Sequence, residues 1–159
     1  AASYDRANEL QREHLGSGIS RQSWNITDKI AAVDRSLRQQ SLAVDVVESH
    51  PELCFARLNR GYPIAHPKSG ETGLAARFTV LDTVLDDWQL TYKSACEEYY
   101  RKQVARDDIV DALVLCAAGR RPLASVPAEP PVDERGLPMR IVAPDIDPAW
   151  RSYTDLAER

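Results

Sequence analysis

The chain has 159 residues, a formal net charge of -4, 43% hydrophobic and 28% charged residues. That length and balance fit one globular domain, with a core burying about two-thirds of the unfolded surface. No apolar run approaches the ~20 residues that a membrane span needs, no N-terminal stretch has the charged, apolar and small-residue regions of a secretory signal, and the acidic balance argues against a protein that coats nucleic acid regardless of sequence; a local basic groove stays open.

Ser3 is a candidate N-cap for a first helix that carries Tyr4, Ala7, Leu10 and Leu15 and stops at Gly16 and Gly18. A longer helical pattern starts at Ser20, with Trp24, Ile26, Ile30, Val33 and Leu37 along one broadly apolar face. Leu42–Glu48 is the best strand candidate: it is β-branched and, Asp45 apart, apolar on both faces, as in a covered strand of a parallel or mixed sheet. Pro51 suits the first turn of the next helix, about Glu52 to Asn59. A loop with Pro63, Pro67 and Gly70 leads to a helix over 71–85, and Trp88 to Val104 is a charged helical stretch. Asp107–Ala118 has the composition of a buried helix, ended by Gly119 and the basic Arg120 and Arg121. Residues 120–138 form a proline-rich connection, Met139–Val142 is a short strand, and Trp150 and Tyr153 suggest that part of the tail packs.

Cys54, Cys96 and Cys116 form no CxxC or CxxH pair, which argues against zinc. Cys54 and Cys116 have apolar neighbours and read as small core residues, and free thiols fit a reducing cytoplasm. The chain opens Ala1-Ala2-Ser3 and its single methionine is Met139, which is compatible with N-terminal processing or with a fragment of something longer.

Two acidic positions carry the chemical signal. Glu48 ends the apolar strand, followed closely by His50 and Glu52. In α/β sheets, ligands bind at the carboxyl ends of strands; the alternative is that Glu48 or His50 caps nearby backbone N–H groups. Asp107 and Asp108 open the buried helix, where acids complement the helix dipole. Asp111 shares a face with them at i,i+4 and i,i+3 but lies one turn in, where burial begins, so its carboxylate needs a partner, and a metal ion is an adequate one. Carboxylates from different elements can hold one or two Mg²⁺, and two such ions support phosphodiester hydrolysis.

Lys68, on a loop, is a candidate phosphate contact and equally an ordinary exposed lysine. Arg21 has the bidentate geometry for phosphate. Trp24 could stack on a base or anchor its helix. His50 and His66 read as loop residues before they read as ligands.

Four blocks occur in a particular order: Gly18–Ile26, Glu48–Phe55, Asp107–Leu113 and Arg135–Ile141. Together they resemble the prokaryotic family called domain of unknown function 429, described as predicted nucleases of the RNase H-like fold, over about residues 3 to 145. The resemblance implies an α/β fold with a mixed five-stranded sheet and flanking helices. It implies a Mg²⁺ or Mn²⁺ site in which Glu48 matches the acid of the fourth strand, and Asp111, with Asp108 as companion, that of the last helix. The Asp111-Ala112-Leu113 run is similar to the same helix in Holliday-junction resolvases. In Lys68, the loop carries a basic residue where the family has one.

RNase H-like enzymes also carry an essential Asp on the first strand of an opening three-stranded meander. Here only helical segments precede Leu42. The expectation is therefore one domain over 1–159, corresponding to the C-terminal two-thirds of an RNase H-like domain. Its role is either a metal-dependent nuclease of DNA or RNA, with Lys68 or Arg21 positioning phosphate, or a non-catalytic binding or assembly module or inactive fragment. The sequence leaves oligomerisation open and implies no membrane partner. Convergence of the carboxylates decides between the two roles, and pairing of Asp111 with an arginine, with Glu48 pointing away, would remove the enzyme reading.

Overall fold

Local capping fixes the helices in the first part of the chain. In the computed structural model, residues 3–39, 44–68 and 70–145 are described. The chain divides into two compact units, Ala1–Val46 and Val47–Arg159. In the first, Ser3 Oγ accepts the Arg6 N–H and starts α1 (Tyr4–Leu15), which Gly16 ends at φ 71°. Ser20 Oγ caps α2 (Arg21–Asn25) in the same way through the Ser23 N–H. The single helix expected from Ser20 is two: α3 (Thr27–Gln39) starts anew after Ile26. The Thr27 hydroxyl donates to the Trp24 carbonyl at 2.8 Å, and this side-chain bond accompanies the break.

Aromatic contacts join α1 to α2. Trp24 meets Tyr4 edge-on at 6.2 Å, and the Arg21 guanidinium lies over the Tyr4 ring, 3.8 Å from its centre. The Tyr4 hydroxyl donates to the Ile19 carbonyl, and the Ile19 N–H donates to Asn8 Oδ1. Trp24 is half-buried, while Ile26, Ile30 and Val33 lie exposed.

The second unit builds its core from α4 (Pro51–Leu58), α5 (Glu71–Val84), α6 (Trp88–Glu98) and α7 (Arg106–Ala118). Pro51 supplies the preset φ of a first helical turn. Phe55, Leu81, Val110 and Val114 are the largest fully buried side chains. α4 packs on α7 and on the sheet. Phe78, Trp88 and Tyr92 form an aromatic group with centroids 4.7 to 6.1 Å apart, and Trp88 Nε1 donates to Asp82. The charged stretch from Trp88 remains helical only to Glu98.

β1 (Leu123–Val126) and β2 (Ile141–Pro144) pair antiparallel, Leu123 opposite Pro144 and Val126 opposite Ile141. β1 thus lies inside the expected proline-rich connection. The fold is mixed α/β, with seven helices and this two-stranded sheet among the described residues.

The structure corrects the strand expected over Leu42–Glu48. Leu42 and Ala43 lie outside the described residues, and Val44 to Glu48 runs exposed, outside any strand. Partnership begins only at its end. The Val142 N–H donates to the Glu48 carbonyl at 2.8 Å, and Ser49 forms one parallel bridge to Val142. Apolar, β-branched residues favour a strand, but a strand forms only where a neighbouring backbone supplies the ladder. Trp150 and Tyr153 also lie outside the described residues.

Cysteine placement gives a second correction. Cys54 is fully buried, but Cys116 is exposed, because α7 buries Ile109, Val110, Leu113, Val114, Ala117 and Ala118 and turns Ala112 and Cys116 outward. Burial pushes the Cys54 thiol pKa up, opposed by its hydrogen bond with Ser49. Cys116 should therefore react with Ellman's reagent in the native protein at the rate of a free thiol, and Cys54 only on unfolding. Mass mapping of the labelled peptides checks this, and fast native labelling of Cys54 would contradict the packing.

Candidate functional site

The site begins with a buried arginine. Arg77 is 3% exposed on α5. Its Nη2 donates to both oxygens of Glu52 on α4, at 2.7 and 2.8 Å, and its Nε to Oε1 at 3.1 Å. Its Nη1 donates to the Gly73 carbonyl at 2.8 Å and to the His66 carbonyl at 3.3 Å. One guanidinium thus joins α4, α5 and the loop that carries Lys68. Gly73 lets that loop lie against α5: a Cβ there would meet the Pro67 carbonyl oxygen at a clashing 1.9 Å.

The loop delivers Lys68 to the start of α7. Lys68 Nζ donates to Asp111 Oδ2 at 3.1 Å and lies 3.5 Å from Asp107 Oδ2. The hydrogen bond to Asp111, opposed by desolvation and aided by the charge of Asp111 and Asp107, raises the ammonium pKa above its ordinary 10.5. Asp111 is the most enclosed of the three, its side chain 18% exposed. Its other oxygen, Oδ1, is buried without a hydrogen-bond partner among the described residues. Such an atom carries the cost of desolvation with no compensating bond.

Asp107, at i,i+4, is the carboxylate that the fold brings beside Asp111 and Lys68. Asp108 turns back instead, its Oδ2 accepting the Ala105 N–H at 3.3 Å. With alanine as N-cap and no side-chain acceptor there, the acid at the third helical position takes the capping role. Glu48 is exposed on the segment before α4, and its described bond is through its carbonyl. Among the described residues, no three His, Cys, Asp or Glu side chains gather as a metal-holding group. His50 caps α4 without a side-chain bond, and His66 contributes its carbonyl to Arg77. Arg21 rests on Tyr4 in the first unit.

Beside the cluster is a cleft of about 420 Å³, lined by Lys68, Glu71, Leu74, Arg101, Arg106 and Asp107. Cleft and cluster together offer an ammonium, two arginines and the carboxylates of Glu71, Asp107 and Asp111. Oxygen donors of this kind suit a hard divalent cation, which often takes only one or two carboxylates and fills the rest of its shell with water and phosphate. The unpartnered Asp111 Oδ1 fits that requirement.

The family profile described as "Protein of unknown function (DUF429)" matches residues 1–132. The chain belongs to this family. The DUF429 match covers the blocks at Gly18–Ile26, Glu48–Phe55 and Asp107–Leu113 and ends before Arg135–Ile141. No curated protein and no solved structure matches the chain significantly. Among the described residues of this DUF429 chain, no helix is long and apolar enough to cross a membrane.

Sequence reasoning passed over Arg77 and the choice of Asp107 beside Asp111. A glycine inside a helical pattern, four residues before an arginine in an apolar run, was the available signal: Gly73-Leu74-Ala75-Ala76-Arg77-Phe78.

Gly73→Ala should destabilise the chain by roughly 1–3 kcal/mol, the usual cost of overpacking, although alanine favours a helix by about 1 kcal/mol; urea unfolding measures it, and a neutral or stabilising result would mean that the loop is not pinned. Lys68, with its pKa raised on folding, should add stability that is complete below pH 10.5 and is lost as pH rises through the raised value. The melting-temperature difference between the parent and Lys68→Met should therefore be flat from neutral pH to about 10 and shrink above that.

Proposed function

We propose that this chain acts on the phosphodiester backbone of nucleic acid, DNA or RNA, as a divalent-metal-dependent hydrolase with Asp111 at its centre. The observation that carries this reading is the buried, unpartnered Oδ1 of Asp111 beside Asp107, under a loop lysine. Asp111 and Asp107 would hold Mg²⁺ or Mn²⁺, with water and substrate phosphate completing the shell; the resemblance implies Glu48 as a further oxygen donor, although Glu48 is not gathered with them among the described residues, and Asp108 caps the helix behind them. When bound, such an ion supplies an activated water and stabilises the leaving oxygen.

The side chains of the cleft have their own work. Lys68, half-exposed and charged at neutral pH, can leave the carboxylates and bind a non-bridging phosphate oxygen. Arg101 and Arg106 offer planar donors for the neighbouring phosphates. Arg77 and Glu52 set the loop position and touch no substrate. In this reading Arg21 belongs to the α1–α2 contact before it belongs to phosphate binding.

One observation favours a second reading, a non-catalytic binding or assembly module. The Lys68 ammonium already sits between the two carboxylates, where a cation would compete with it.

Calorimetric titration with Mn²⁺ separates the two. Under the hydrolase reading the parent binds Mn²⁺, Asp111→Asn loses at least tenfold in affinity, and Lys68→Met, freed of the competing ammonium, binds more tightly. Cleavage of labelled single- and double-stranded DNA and RNA should then follow Asp111. If neither the parent nor Lys68→Met binds Mn²⁺, the hydrolase reading fails and the binding module stands.

A further inference from the structure

A second cleft in the same unit, of about 610 Å³, has a different character. It lies between the end of α4, the later turns of α5, and the outer ends of the two strands. Arg57, Arg60 and Arg121 line it, with Tyr62 and the apolar side chains of Leu58 and Val80. Among the described residues, none of the three arginines has an ion-pair partner, and Asp145 is the one carboxylate on the lining. Three arginines share this lining on a chain whose net charge is -4. The volume is within the ordinary range of small-ligand sites.

Arg60 stands where a glycine would serve the fold better. α4 ends in a Schellman turn: the Gly61 N–H reaches back to the Ala56 carbonyl at 2.8 Å, which places Arg60 at the left-handed position with φ 58°. An L-residue holds that conformation at a cost that glycine avoids. A strained residue kept at the rim of a cleft points to a use for its side chain. Tyr62 is pinned by two bonds: its N–H donates to the Asn59 carbonyl at 3.0 Å, and its carbonyl accepts from Asn59 Nδ2 at 2.9 Å. Its side chain nevertheless leaves the residue 46% exposed.

We infer that this cleft binds a nucleotide unit of a single-stranded nucleic acid, phosphate on the arginines and base on Tyr62. Guanidinium groups match phosphate oxygens two at a time. An exposed ring on a fixed backbone, in a cleft shared with apolar side chains, is a stacking platform for any base. An acidic peptide would satisfy the arginines but leave the ring face unused. The cleft lies on the opposite face of α5 from Glu71 and Leu74, so this binding does not depend on the Asp111 site or on a metal.

The test is fluorescence anisotropy of a fluorescein-labelled oligothymidylate of about 12 nucleotides, in EDTA and at low salt. The parent should bind it. Tyr62→Leu should weaken binding about tenfold. Arg60→Gly should weaken it several-fold and flatten the salt dependence by about 0.7 in log–log slope, the change expected when one fewer phosphate is neutralised. Arg60→Gly should also melt at the same temperature or higher, which separates weakened binding from unfolding. Lys68→Met should bind as the parent does. Unchanged affinity in both Arg60→Gly and Tyr62→Leu, or no binding by the parent, would overturn the inference. So would displacement of the oligonucleotide by inorganic phosphate or polyglutamate at equal charge concentration, which would mark a general anion site.

Discussion

The second unit depends on a single guanidinium group. Arg77 is nearly fully buried, and every described bond that it makes ends on an oxygen held by a different piece of backbone: Glu52 on α4, Gly73 on its own helix, His66 on the loop. A buried charge is tolerated only when paired and fully hydrogen-bonded. Glu52 meets it two oxygens at a time, and the carbonyls take what remains. Because the pairing must be complete, the positions of α4, the loop and α5 are set together. Gly73 then permits the close approach that this geometry demands. Lys68 reaches α7 as a consequence, since it lies two residues beyond the His66 carbonyl that Arg77 holds.

The Lys68–Asp107–Asp111 cluster is the opposite kind of construction. Arg77 is saturated, whereas Asp111 retains one buried oxygen with no partner among the described residues. The same carboxylate is both ion-paired and underused, and the cation that pairs with it is half-exposed on a loop. Lysine suits this place: its ammonium is a mobile point charge on a flexible stem, whereas an arginine would lock onto the carboxylates in a planar fork. The pair therefore holds the loop without closing the position to another cation.

Much of this was legible in the residues, and the rest failed for identifiable reasons. Helix caps at Ser3, Gly16 and Pro51 are local chemistry, and the chain reads them out directly. Asp111 stood out because a carboxylate one turn into an apolar helix needs a partner; Lys68 stood out as a basic residue in its loop. The strand expected at Leu42–Glu48 did not form within its described part, because β structure needs a partner that composition does not announce. Cys116 went outward because helical phase, not the polarity of its neighbours, decides exposure. Asp107 and Asp108 are indistinguishable by composition. The absence of a side-chain acceptor at Ala105 decides which one turns back to the helix start. Arg77, Arg57, Arg60 and Arg121 look like ordinary surface cations until the helices are packed. The five-stranded sheet that the resemblance implies goes beyond the two strands and two isolated bridges, Ser49 to Val142 and Val132 to Pro138, among the described residues.

The bridge at Ser49 bears on how the chain reaches its native state. Ser49 Oγ donates to the Val142 carbonyl across a separation of 93 residues, and the Val142 N–H returns a bond to the Glu48 carbonyl. The helix-to-helix contacts of this unit span shorter loops and can form while the chain is being synthesised. The Ser49 closure spans more of the chain than they do, because residue 142 has to be available before the segment before α4 finds its partner. Non-local pairing pays loop-closure entropy before its contacts are rewarded. Fixing Glu48 therefore depends on a distant part of the chain, and a chain cut short before Val142 would leave the acidic segment without the backbone partner that it has here.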